Sequence, residues 1–150
     1  MFDSIEKIIK SFDVNEVEYV IIGGYAIILN GFLRATEDID ILLKMTPDNL
    51  KKFQKALREV YDDTEIDEIN FEELSKYSVI RYGTRDNFYI DIISKIGKEF
   101  SYDNIEIMEK KVEDIVYRFA SPKSLYQMKK LTYREKDKLD IVFLKNLMDR

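Results

Sequence analysis

The chain has 150 residues, with 45% hydrophobic and 13% aromatic content and only five Gly and two Pro, which excludes disordered and fibrous classes. It contains no Cys and no His, so disulfide frameworks, thiol nucleophiles, Ser-His-Asp triads and zinc sites of imidazole or thiolate are excluded. Acidic residues outnumber basic ones 29 to 24, for a net charge of −5; a metal would then be a hard cation on oxygen ligands, and no broad nucleic-acid-binding face is expected.

The elements follow in chain order. Phe2, Ile5, Ile8, Ile9 and Phe12 recur at helical spacing and predict an amphipathic helix. Tyr19 to Ile22 reads as a buried strand ended by Gly23-Gly24, and Tyr25 to Asn30 as a short helix closed at Gly31. Asp38 to Leu43 alternates carboxylate and apolar residues at its start, which predicts a strand with two chemically distinct faces. Thr46-Pro47 opens a helix, with Thr as N-cap and Leu50, Phe53, Leu57 and Val60 on one side. Asn70, with Glu73 three residues on, caps a short helix. Ser78 to Tyr82 and Phe88 to Ser94 form a β-hairpin around Gly83-Thr84-Arg85-Asp86-Asn87. Within Ile105 to Ala120 a strand is expected around Ile115 to Phe119. Ser121-Pro122 starts a helix to about Leu131, and Leu139, Val142, Phe143 and Leu147 mark a last helix.

The sum is an α/β (α+β) fold, a small mixed β-sheet flanked by helices, expected as one domain over residues 1–150 because no linker, repeat or low-complexity tract interrupts it. The longest uncharged apolar stretch, Tyr19 to Leu29, is about half of the roughly 20 residues a membrane span needs. The first residues lack the basic and apolar regions of a signal peptide. A cytoplasmic protein without a membrane segment is expected.

Asp38-Ile39-Asp40-Ile41 carries the chemistry. Side chains two apart on a strand share a face, so Asp38 and Asp40 project together while Ile39, Ile41 and Leu43 point into the core. Like charges held that close repel, and either a divalent cation or a raised pKa must offset the repulsion. The pair alone could equally be a solvated strand face. Asp91 is harder to explain that way, because it interrupts the apolar strand Phe88 to Ile93, where a lone buried carboxylate is costly. If the two strands are neighbours, Asp91 completes a cluster of three carboxylates.

Gly23-Gly24 between strand and helix suits either a plain tight turn or a cradle in which backbone N–H groups face an anion. The order of glycine pair followed by Asp-x-Asp favours the cradle.

Gly23-Gly24-Tyr25-Ala26, Asn30-Gly31, Arg34, Thr36, Asp38-Ile39-Asp40-Ile41 and Asp91 together resemble the nucleotidyltransferase fold superfamily, and within it the AbiEii-type toxin and related uncharacterised nucleotidyltransferase-like families. Ser121-Pro122, Lys129, Arg134, Lys136-Asp137 and Asp140 are similar to the C-terminal helical signature of the same group. The resemblance spans roughly Tyr19 to Leu144. It departs at Asn30, where members often have His; Asn can cap the short helix there.

The resemblance implies transfer of a nucleoside monophosphate from a nucleoside triphosphate to a hydroxyl acceptor, with Mg²⁺ or Mn²⁺ held by Asp38, Asp40 and Asp91. Gly23 and Gly24 would then meet the β and γ phosphates. Arg34, Thr36, Lys129 and Lys136 complete the expected nucleotide site. Read as residues only, Arg34 is as well placed to pair with Glu37 or Asp38, Thr36 to end the loop, and Lys129 and Lys136 to be solvated. Asp137 and Asp140 are expected to orient the last helices through ion pairs. Tyr25 is read as packing. The acceptor stays open among small molecules, tRNA ends and protein side chains, as does membership of a toxin-antitoxin pair. A module that binds a nucleotide or partner without turnover is the alternative. A carboxylate-metal nuclease shares the ligands but leaves the glycine pair without a reason.

Overall fold

A computed structural model of the chain describes residues 1–131 and 133–150. In chain order it contains α1 (Phe2–Val14), β1 (Tyr19–Ile22), α2 (Gly23–Leu29), β2 (Asp38–Leu43), α3 (Pro47–Val60), α4 (Phe71–Lys76), β3 (Val79–Gly83), β4 (Tyr89–Ile93), β5 (Ile107–Val112), β6 (Ile115–Ala120), α5 (Pro122–Leu131) and α6 (Lys138–Met148). Short 3₁₀ turns lie at Thr64–Glu68, Tyr102–Asn104 and Glu135–Asp137. The strands form one sheet in the order β3-β4-β2-β1-β6-β5. β2 runs parallel to β4 and β1 parallel to β6, while the β1–β2, β3–β4 and β5–β6 pairs are antiparallel, giving the mixed α/β sheet expected.

The caps form as the sequence predicts. The Thr46 hydroxyl accepts from the Asn49 amide at 3.1 Å with Pro47 in the first turn of α3, and the Asn70 side chain accepts from the Glu73 amide at 2.9 Å. On one face of the sheet, Phe12 of α1 meets Tyr19 of β1 at 5.1 Å and Phe53 of α3 at 5.6 Å between ring centroids. α1 and α3 therefore cover the face that carries Tyr19, Ile21, Ile39 and Ile41, all buried. The opposite face carries Asp38, Asp40 and Asp91, and Leu125 and Met128 of α5 are buried over it. No helix among the described residues is long and apolar enough to cross a membrane.

Four local expectations change. The glycine pair is the first turn of α2 rather than a loop ahead of it. Ile105 to Ala120 contains two strands, not one: β5 is exposed along most of its length, so the alternation that identifies a strand is missing from it, and its charged residues suit a sheet edge. The β3–β4 hairpin turns through Thr84 to Phe88, closed by the Thr84 amide donating to the Phe88 carbonyl at 2.9 Å, so Tyr82 faces Ile90 and Arg81 faces Asp91. Finally, α6 is rotated from its apolar pattern. Leu139 and Val142 are 73% and 52% exposed, whereas Asp140 is 3% exposed, because Asp140 pairs inward with Arg34 and Lys129.

This packing makes a contrast measurable. Ile41→Ala should cost about 2–5 kcal/mol, the usual range for emptying a buried aliphatic site. Leu139→Ser should stay within about 0.5 kcal/mol, as surface changes do. Urea titrations of the two variants check both; a large loss at Leu139 would place that face of α6 in the core.

Candidate active site

β2 and β4 pair in parallel with Asp40 opposite Asp91, and Asp38 lies two residues back on the same face of β2. Carboxylate oxygens of Asp38, Asp40 and Asp91 all lie within 4.8 Å of one another. The two strands are neighbours, which is the condition for a three-carboxylate cluster, and the third carboxylate does join the pair.

Gly23 explains why the glycine pair stands beside this cluster. Its φ is +66°, and a Cβ there would lie 2.0 Å from Oδ2 of Asp40. Any side chain would push Asp40 aside. A Cβ on Gly24 would meet the Arg34 guanidinium carbon and the Thr36 hydroxyl at 3.4 Å, ordinary contact. The Thr36 hydroxyl donates to the Asp38 carbonyl at 3.0 Å and so braces the start of β2.

Basic residues surround the carboxylates in two groups. From β3, Arg81 grips Asp91 with two hydrogen bonds, Nε to Oδ1 at 2.8 Å and Nη2 to Oδ2 at 3.0 Å, and reaches Asp38 at 3.1 Å. Its guanidinium lies 4.6 Å from the Tyr89 ring centroid. From the C-terminal elements, Lys129 reaches Asp137 at 2.7 Å and Asp140 at 3.6 Å, Arg134 reaches Asp137 at 3.1 Å, and Arg34 pairs with Asp140. Burial alone would raise the pKa of Asp137, but the bonds from Lys129 and Arg134 outweigh it and leave the group below its ordinary value. Gly23, Gly24, Arg34, Thr36, Asp38, Asp40, Asp91, Lys129 and Lys136 all line one cavity of about 220 Å³ with Arg81, Arg134 and Asp137.

The residues brought together are thus those singled out in the sequence, with two changes of partner. Lys129 is not solvated but inserted between buried carboxylates, and Arg34 is paired with Asp140 rather than with Glu37 or Asp38. Lys136 is exposed at the cavity rim. Arg81 was missed. Its signal was the hairpin register: shifting the turn by one residue on each strand sets Arg81 directly across from Asp91.

A family model described as "Nucleotidyltransferase of unknown function (DUF6036)" matches residues 1–148. The chain belongs to this nucleotidyltransferase family. Among solved structures, the lincomycin-bound lincosamide antibiotic adenylyltransferase LnuA is similar, with a TM-score of 0.59 at 17% identity over 98% of each chain. At that identity the likeness establishes the nucleotidyltransferase-like fold. No curated protein sequence matches the chain.

In this nucleotidyltransferase the electrostatic burden of the cluster falls on Asp40. Burial raises its pKa first, and the charges of Asp38 and Asp91 and a hydrogen bond with Asp91 add to that against the pull of Lys129, so it is pushed up to about 7. The folded chain therefore holds this proton more tightly than the unfolded chain, whose Asp titrates near 3.8. The resulting cost to stability is complete above pH 7 and fades as the pH falls toward 3.8. Asp40→Asn, measured calorimetrically in chelator, should raise the melting temperature by a few degrees at pH 8, with the difference shrinking toward pH 5. A variant less stable than wild type at pH 8 would mean that Asp40 is a favourable anion there.

Proposed function

We propose that the protein is a metal-dependent nucleotidyltransferase that moves a nucleoside monophosphate from a nucleoside triphosphate to a hydroxyl-bearing acceptor. The observation that carries this reading is the in-register pairing of Asp40 with Asp91 beside Asp38, facing a cavity whose other walls are glycine backbone, Thr36, Asp137 and cations. The donor set fits a hard divalent ion: three carboxylates, no nitrogen or sulfur ligand, and a mutual repulsion that a cation would relieve. Asp38, Asp40 and Asp91 would hold Mg²⁺ or Mn²⁺. Bound there, the ion would lower the pKa of the acceptor hydroxyl and offset charge on the triphosphate oxygens.

The chain's own groups do the rest. The backbone N–H groups of Gly23 and Gly24, in the first turn of α2, have no partner within the helix and are available to phosphate oxygens. Arg34, Lys129, Arg134 and Lys136 counter the triphosphate charge. Asp137 and Asp140 keep the first three from swinging away, which preserves their geometry before a nucleotide arrives. Thr36 positions Asp38 through its backbone. The acceptor oxygen bonds to the α-phosphorus, the bond to the bridging oxygen breaks, and pyrophosphate leaves with that electron pair. The hydroxyl proton passes to Asp91 and on to solvent.

Arg81 occupies oxygens of Asp38 and Asp91 that the metal needs, and it must swing off them. Its side chain is 53% exposed on the edge strand β3, so the movement is sterically open. ATP is the first nucleotide to test, since LnuA is described as an adenylyltransferase.

Pyrophosphate release from ATP with Mn²⁺ and a pool of hydroxyl acceptors should fall at least about 100-fold in Asp40→Asn, as expected when a group central to transition-state charge is removed. Nucleotide binding without release by the wild type under every acceptor would identify a binding module instead. Arg81→Gln should bind Mn²⁺ more tightly than wild type in the absence of nucleotide, read by electron paramagnetic resonance. Unchanged affinity would show that Arg81 does not compete for the carboxylates.

A further inference from the structure

The sheet face that carries the carboxylates does not end with them. Two residues further along the hairpin, Val79 stands opposite Ile93 as Arg81 stands opposite Asp91, so the polar pair is followed by an apolar pair on the same face. On the other side of Asp40, Ile22 of β1 lies directly opposite it. Together with Ile96 and with Leu125 and Met128 of α5, these side chains line a second cavity of about 370 Å³. It shares Gly23, Asp40, Lys129 and Arg134 with the carboxylate cavity, so the two chambers adjoin at the cluster.

We infer that this apolar chamber is the acceptor subsite, and that it takes a small hydroxyl-bearing molecule with an apolar portion, the hydroxyl directed toward Asp40 and Asp91. The inference rests on the nucleotidyltransferase reading above and adds to it the class of acceptor. Three observations select that class. The volume falls in the range of roughly 300–1,000 Å³ in which small-molecule sites are found, too small to enclose folded RNA or protein.

The lining also speaks against a polycation. Among the described residues Asp40 is the only carboxylate in it, and the other charged groups there, Lys129 and Arg134, are basic. An amino sugar with several ammonium groups would be desolvated against aliphatic walls with one counter-charge. A nucleobase fits no better. Among the described residues the lining offers no aromatic ring for stacking and no Asn, Gln, Ser or Thr side chain to read a base edge, so the nucleotide is left to the polar chamber. The wall suits instead an alkyl or aryl group, whose burial supplies affinity in proportion to area, while the shared edge with the carboxylates orients its hydroxyl.

The test uses the full chain with Mn²⁺, n-hexyl β-glucoside as an uncharged amphipathic probe, glucose and kanamycin as controls, and a fluorescent ATP analogue. Val79 is 50% exposed at the start of β3, so Val79→Trp narrows the chamber and Val79→Lys charges it at little risk to folding, which melting curves verify. The expected result is hexyl glucoside binding by saturation-transfer NMR, at least 10-fold weaker binding of glucose and of kanamycin, and at least a 10-fold loss for the hexyl glucoside in both variants. Affinity for the ATP analogue should stay within twofold. Equal binding of hexyl glucoside to wild type and variants, no binding at all, or preferential binding of kanamycin would overturn the inference. So would loss of ATP-analogue affinity in the Val79 variants, which would assign the chamber to the base. Absence of ATP-analogue binding to the wild type is a separate outcome, and it is the nucleotidyltransferase reading that it would overturn.

Discussion

Two like charges side by side on parallel strands are the constraint around which this protein is arranged. Pairing β2 with β4 in register sets Asp40 against Asp91, with Asp38 next along the face, and water cannot fully screen carboxylates held this way in a partly covered cleft. The neighbouring structure answers that repulsion. Position 23 lacks a side chain because Asp40 occupies the space a Cβ would need, and Arg81 crosses from the edge strand to fork onto Asp91. Lys129 adds positive potential from the other side. What remains uncompensated appears as a proton held by Asp40 near neutral pH, which is the electrostatic state a divalent cation would displace.

The C-terminal elements are tied to the same problem at one remove. Asp137 and Asp140 are 2% and 3% exposed, and each is paired with cations rather than buried alone. Such pairs add little net stability compared with apolar packing, but removing one partner is expensive, roughly 3–5 kcal/mol when the other charge stays buried. The network joins Arg34, ahead of β2, to α5 and α6 and fixes how α6 is rotated. Its effect on function is positional: the cations facing the cavity are held from behind. That arrangement also leaves Leu139 and Val142 in solvent, against the helix's own apolar pattern.

Much of this was legible because the signals were local. The strand Asp38 to Leu43, the caps at Thr46 and Asn70, and the start of α5 at Pro122 depend on residues a few positions apart, and each formed where the pattern placed it. Asp91 was legible because a carboxylate inside an apolar run needs a reason. β5 was not, since an exposed edge strand has no buried face to impose alternation. The partner of Arg34 was not legible either: Asp140 lies 106 residues away, and Glu37 and Asp38, the carboxylates nearest in sequence, were the natural but incorrect choice.

By itself, then, the sequence determined the chemistry available and most of the elements: a chain without Cys or His, carboxylates on the polar face of one strand and in the middle of another, and a glycine pair ahead of them. Only the tertiary structure decided that these carboxylates converge, that Arg81 stands across from Asp91, and that an apolar chamber opens beside Asp40. The reason is that side-chain periodicity is set within a strand, whereas register between strands and the rotation of a packed helix are set by contacts between residues far apart in the chain. A shift of one residue in either β-pairing would have turned the same side chains to the opposite face.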